Sequence, residues 1–251
     1  MSASAPPPTP TGGESDDEDA QETALLALHS RALRRLHSSI EHHLRSPLNS
    51  IGLNLELLAV EIADLARRDD RDDAQEGRES LSEVLAALRG GYARLIGNVD
   101  TVLETVLPGS AGRVETLDLA QLARRIADLG GTESVLLRAS WRADIPPVPV
   151  TLKTRRDVVV TALLLVVCSA LEHAGTAARI AFSLSSDSES AEIRVEVEPC
   201  RQDEPTATAR ECGHWLPLLA RRLGGSYGEG ADERAFRLHL SLPRLFGADA
   251  C

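Results

Sequence analysis

At 251 residues and 43% hydrophobic content, the chain can bury one large core or two small ones. Aromatic residues make up only 3%, so those cores must be built from Leu, Val, Ala and Ile. The net charge of −11 argues against nucleic acid as a partner.

Other classes fall away on inspection of runs and motifs. A bilayer span needs roughly 20 apolar residues, and the longest uncharged apolar run, 158–170, is shorter and lies deep inside the chain. The first residues carry no basic n-region of the signal-peptide kind. A cytoplasmic protein with no membrane span is therefore expected. Cys168, Cys200, Cys212 and Cys251 form no CxxC pair and are expected as reduced thiols. Cys212-Gly213-His214 lacks the second pair that a metal site would need. Lys153 is the only lysine and no GxxxxGK[ST] run exists, which excludes a P-loop.

Residues 1–21 combine four prolines with Glu14, Asp16, Asp17, Glu18 and Asp19, and are expected as a disordered acidic tail. From 22 to 68 the apolar residues fall at helical steps: Leu33, Leu36, Ile40, Leu44, Leu48, Ile51, Leu55, Leu58, Ile62, Leu65. At about 1.5 Å per residue such a helix would be close to 70 Å long. A charged loop around Asp69–Asp73 and Gly77 breaks the pattern. A second stripe, Leu81, Val84, Leu85, Leu88, Tyr92, Leu95, Val99, Leu103 and Val106, stops at Pro108-Gly109. Gly90-Gly91 within it reads as a point of close approach, a hinge, or simply a weak spot. Two such helices cannot bury their apolar faces alone, so residues 22–108 are expected as an antiparallel hairpin that dimerises into a four-helix bundle.

The second half changes character. A short helix is expected over 117–129, ended by Gly130-Gly131, with strands at 135–141 and 148–152. Residues 154–174 read as a buried helix, apolar nearly all round. Ile180, Phe182, Leu184 and then Ile193, Val195, Val197 alternate as a hairpin around 185–190. A helix over 210–223 and a strand through Phe236, Leu238, Leu240 and Leu242 complete the chain. Residues 115–245 are thus expected as a two-layer α/β sandwich, helices on one face of a mixed sheet.

His42 stands apart on the first long helix. At about 100° per residue it lies about 200° from Ile40, opposite the apolar seam, and so faces solvent. His43 sits at the edge of the core face, and Pro47 removes a backbone donor one turn later. His29 and His37 read as incidental.

The string His42-His43-Leu44-Arg45-Ser46-Pro47-Leu48-Asn49-Ser50-Ile51, on the first helix of a hairpin, resembles the H-box of two-component sensor histidine kinases. The resemblance covers roughly residues 25–107. It implies that His42 carries a phosphoryl group on a ring nitrogen and exchanges it with an aspartate of a response-regulator receiver domain. A neutral imidazole is nucleophilic near pH 7, and a neighbouring base that takes or orients its second proton assists. The family usually has Asp or Glu in the next position; His43 stands there. Ser46 matches a position that helps place water for regulator dephosphorylation, and Arg45 a basic position suited to phosphate. Asn49 completes the rim at which a receiver would dock.

Residues 115–245 resemble the kinases' ATP-binding domain more weakly. The stretch 162–170 aligns with the box that normally supplies asparagine to Mg²⁺, but Leu165 and Ser169 stand at the asparagine positions. The Asp-x-Gly-x-Gly expected after a strand is replaced by Pro199-Cys200-Arg201-Gln202-Asp203, and the later glycine box reads Gly213-His214-Trp215-Leu216. These changes remove the metal ligand, the adenine anchor and the phosphate cradle on which transfer from ATP depends. The combined expectation is a dimeric phosphorelay protein with no cofactor, exchanging phosphate between His42 and receivers without its own autophosphorylation. A soluble histidine kinase using ATP and Mg²⁺, and a non-enzymatic scaffold that binds receivers, stay open as alternatives.

Overall fold

A computed structural model of the chain describes residues 13–65, 71–106, 113–201, 204–232 and 234–244. Three helices come first: α1 (Gly13–Arg35), α2 (His37–Leu65) and α3 (Arg71–Val106). The expected single helix over 22–68 is in fact broken at Leu36. The Leu36 N–H donates to the carbonyls of both Ala32 and Leu33, at 3.2 and 3.1 Å, a tightened last turn that ends α1. The reason is where the apolar residues go. Leu25, Leu28, Ala32 and Leu36 are 0–4% exposed and join the core of the α/β half, with no place in a bundle seam. α1 also begins inside the segment expected as a disordered tail; residues 1–12 lie outside the described residues.

α2 and α3 form the antiparallel hairpin. On α3, Leu81, Val84, Leu88, Leu95 and Val102 are partly buried and Gly91 is fully so. A Cβ on Gly91 would lie 3.1 Å from Ile51 Cγ1, so this glycine serves close approach of the two helices. The apolar seam read from the sequence splits in two. Ile51 and Leu58 turn toward α3, while Leu48, Leu55 and Ile62, seven residues apart, remain 52–53% exposed. α3 carries a matching outer stripe of Leu85, Tyr92, Ile96, Val99 and Leu103.

The remainder is a sandwich of two layers. Its elements are β1 (Val114–Asp118), α4 (Leu119–Leu136), β2 (Ser140–Asp144), β3 (Thr151–Arg155), α5 (Arg156–His173), β4 (Ala174–Ser186), β5 (Ser190–Cys200), α6 (Ala207–Arg222), β6 (Ser226–Ala231) and β7 (Phe236–Pro243). The main sheet runs β2-β4-β5-β7-β6, with β2 parallel to β4 and the other pairs antiparallel; β1 and β3 pair separately. Register places Ile180 opposite Val197, Phe182 opposite Val195, and Val195 in turn opposite Leu238, so one face of β4, β5 and β7 is apolar. α4, α5 and α6 cover that face. α5 is apolar all round because the sheet lies under it and α1 lies over it.

Two expectations are corrected here. α4 does not stop at Gly130-Gly131 but runs to Leu136, so Val135 and Leu136 are helical and the strand starts only at Ser140. The glycines open a slot for an indole: a Cβ on Gly130 would meet Trp141 Cη2 at 2.6 Å and Val167 Cγ1 at 2.8 Å. The α4 start also differs, because Asp118 is its N-cap and closes β1, accepting from the N–H groups of Ala120, Gln121 and Val150. No helix among the described residues is long and apolar enough to cross a membrane.

Candidate functional site

His42 is reached from the elements upward. Leu36 ends α1 inside the core, and the helical ladder resumes at once, with the Ile40 N–H donating to the Leu36 carbonyl at 3.1 Å. Ile40 packs partly buried against the core. Pro47 is buried and offers no N–H to the carbonyl one turn back. Between these two anchors Glu41, His42, Arg45 and Ser46 are exposed, as is Asn49 just beyond Pro47. His42, Arg45, Ser46 and Asn49 fall within an arc of about 100° on α2, so they share one face. The side chain of His43 lies outside the described residues.

That face does not look onto open solvent alone. A cavity of about 790 Å³ separates it from the α/β half. Glu41, His42 and Arg45 line one side, and Asp128, Thr132, Val135 and Leu136 of α4 line the other, with Trp141 of β2 also on the wall. Ser46 and Asn49 are on the same helix face but are not part of this lining. Arg45 is paired with Glu41 one turn earlier, so the ion pair brackets His42. Both partners are well exposed, and such a pair contributes at most about 0.5 kcal/mol. A doubly charged phosphoryl group would compete for the guanidinium readily. Val135 and Leu136 are 70% and 66% exposed, which gives the cleft an apolar lip.

The boxes that resemble a nucleotide site are built very differently. Leu165 and Ser169 on α5 are 3% and 1% exposed, and the Ser169 hydroxyl has no partner among the described residues. α1 crosses this side of α5. Thr161 donates its hydroxyl to the Asp157 carbonyl at 2.8 Å, so the His29 ring donates from Nδ1 to Thr161 Oγ1 at 3.1 Å. The Cys168 thiol points at the Ala32 carbonyl at 3.9 Å. Arg35 Nε donates to Glu172 at 2.7 Å and its Nη1 to Glu133 at 3.1 Å. On a helical wheel Thr161, Leu165, Cys168 and Glu172 share one narrow face. The residues 213–216, in place of a glycine box, form the interior of α6, where Gly213 gives room to Glu229 of β6, a Cβ there standing 3.3 Å from its Oε1. Gln202 and Asp203 lie outside the described residues.

Electrostatics follow this packing. Burial works against the charges of Arg35 and Glu172. Their mutual hydrogen bond and attraction outweigh it, with help from the Thr206 hydroxyl on Glu172. The guanidinium is therefore raised and the carboxyl lowered from their usual values. Burial pushes the Cys168 thiol up to about 12, and raises Cys212 as well, so both are poor nucleophiles. Among the described residues no group of three or more His, Cys, Asp and Glu side chains could hold a metal ion.

No protein-family model matches the sequence, and no curated protein matches it. Solved structures do. A histidine kinase from Burkholderia phymatum aligns over 94% of this chain and 100% of its own, at 13% identity and a TM-score of 0.47. The catalytic domain of histidine kinase ThkA aligns over 54% of this chain and 99% of its own, at 12% identity and a TM-score of 0.45. Acinetobacter baumannii histidine kinase AdeS aligns over 81% and 98%, at 13% identity and a TM-score of 0.43. These similar structures are all histidine kinases or parts of them.

Sequence reasoning singled out His42 and Arg45, which line this cleft, but gave no sign of the opposing wall. Asp128, Thr132 and Trp141 carry no motif, and Val135 and Leu136 were read as a strand. His29, read as incidental, is buried. Its signal was the step of three and four it shares with Leu25, Leu28 and Ala32.

Proposed function

We propose that this chain is a histidine-kinase-like protein of two-component signalling that carries phosphate on His42 and exchanges it with receiver aspartates, without taking it from ATP. The observation that carries the reading is the contrast in access: His42 is open on a cleft, while Leu165 and Ser169 are buried in the core of the α/β half. A nucleotide needs metal ligands, a base anchor and a phosphate cradle that approach it directly. Leu165 and Ser169 are buried, and residues 213–216 are helical.

In the proposed transfer, a ring nitrogen of His42 attacks the phosphorus of an aspartyl phosphate on the receiver. The N–P bond forms as the bond from phosphorus to the aspartyl oxygen breaks, and the carboxylate leaves. The other ring nitrogen gives up its proton, for which Glu41 and Asp128 are carboxylates lining the same cleft. Arg45 would let go of Glu41 to meet the incoming phosphoryl oxygens. Ser46, His43 and Asn49 belong to the proposed contact surface through their place on α2.

A homodimer is part of this proposal. The outer stripes Leu48–Leu55–Ile62 on α2 and Leu85–Tyr92–Ile96–Val99–Leu103 on α3 are what pairing two hairpins into a four-helix bundle would cover. The test is transfer from a receiver domain loaded with radiolabelled phosphate. The label is expected to move onto the chain, to be acid-labile and alkali-stable, and to be absent in His42→Ala. Labelling that persists in His42→Ala would overturn the assignment.

A further inference from the structure

We propose that α1 is a strap that fixes the α/β half against the helical hairpin, so that the cleft beside His42 has a preset width and is not opened and closed by a swinging domain. The strap touches every helix of the α/β layer. Arg35 reaches Glu133 on α4 and Glu172 on α5, His29 reaches Thr161 on α5, and Arg31 pairs with Glu211 on α6 at 2.6 Å. Leu28 and Leu36, both 0% exposed, are as deeply buried as the sheet's own residues. These are the contacts of a core element, in a segment that precedes the hairpin in sequence.

The consequence for His42 comes from the junction. Only Leu36 separates α1 from α2, and the Ile40 N–H bonds to its carbonyl. His42 therefore stands about 9 Å along the helix from a residue locked in the α/β core. A domain joined to the hairpin only through its β1 end could pivot. One that also holds the root of α2 cannot move without tearing α1 from its groove. Arg35 makes that costly in a particular way. Its partners are carboxylates 7% and 11% exposed, and leaving them without their cation strands buried charge. The strap stands on these contacts; only its bearing on transfer rests on the phosphotransfer reading.

The experiment measures distance in the full chain. Nitroxide labels at Ala86→Cys in α3 and Ser188→Cys in the β4–β5 turn are both at exposed positions. Cys168, Cys200 and Cys212 are buried, and Cys251→Ser removes the remaining thiol. Labelled chain is diluted with unlabelled chain and the distance distribution is read by pulsed electron resonance. The parent is expected to give one narrow distance. Leu28→Asp puts a charge in the groove, and is expected to speed amide exchange across 25–36 by about tenfold or more and to broaden the distance about twofold, with β5 and β7 still protected. If Leu28→Asp also loses protection in β5 and β7, Arg35→Ala takes its place with the same expectation. A broad distribution in the parent overturns the proposal. So does an unchanged narrow distance once α1 has been released, or an α1 as protected in Arg35→Ala as in the parent. Phosphate on His42 is not part of the readout, so failure of the strap and failure of the phosphotransfer reading are separate results.

Discussion

Two faces of this molecule carry residues that the sequence marks out, and they have been treated in opposite ways. On α2, the face of His42, Arg45, Ser46 and Asn49 is polar and open, and it shares a cleft with α4. On α5, the face of Thr161, Leu165, Cys168 and Glu172 is largely buried and roofed by α1. A site that must admit a partner keeps exposed polar groups at some cost in packing. A site released from that need can be filled with core. Under the proposed function, this contrast would put the chemistry on the hairpin and leave positioning to the α/β half.

The comparison breaks most sharply at His42. His42→Ala is expected to reduce phosphate labelling from a receiver to background while leaving the melting temperature within about 1 °C, since the side chain is exposed. Next comes the sealed face. Ser169→Asn introduces a residue type that could bind Mg²⁺, but places a larger amide at a position 1% exposed. It is expected to cost about 1–3 kcal/mol in denaturant melts, with no gain in Mg-ATP binding by calorimetry. Gain of binding would show that the face is still accessible. Gly130→Ala is expected to cost a similar amount, about 1–3 kcal/mol, because its methyl group would collide with Trp141 and Val167.

A smaller effect concerns acid. Glu172 has a folded pKa below its unfolded value, because Arg35 and the Thr206 hydroxyl outweigh the opposing effect of burial. Its contribution is therefore fully present above the usual glutamate range near 4.3, and is lost as pH falls through the folded value. Amide exchange in α1, corrected for its intrinsic pH dependence, should rise below about pH 4 in the parent, and this extra rise should be absent in Glu172→Gln. The smallest effect is at the rim. Arg45→Ala should change stability by no more than about 0.5 kcal/mol, because its pair with Glu41 is exposed, yet slow transfer from a receiver by about tenfold.

Much of the sheet was legible in the sequence because alternation has one meaning in a strand. Phe182, Leu184, Ile193 and Val195 could only line a common face, and they do. Helical periodicity is less informative about partners. Leu33 and Leu36 continue the seam of α2 in step, and nothing in the spacing says that α1 turns away to pack on another layer. Gly130-Gly131 misled for a related reason. A glycine pair signals either a helix end or a close approach, and the indole of Trp141, which decides between them, arrives ten residues later. β1 and β6 were missed because Val114–Asp118 and Ser226–Ala231 are short and largely exposed, with little apolar alternation to read. His42 was singled out because the string from His42 to Ile51 resembles an H-box, and because an exposed histidine followed by a proline about one turn later on a helix breaks a local rule. Its opposing wall was not, because a cleft between two layers leaves no trace in either segment alone.

The most direct test of the source of phosphate is a side-by-side labelling of one preparation. The full chain is incubated with Mg²⁺ and γ-labelled ATP in one arm, and with a labelled phospho-receiver in the other, each repeated with His42→Ala. Acid-labile label on His42 from the receiver and none from ATP is the predicted result. Label on His42 from ATP alone would contradict it.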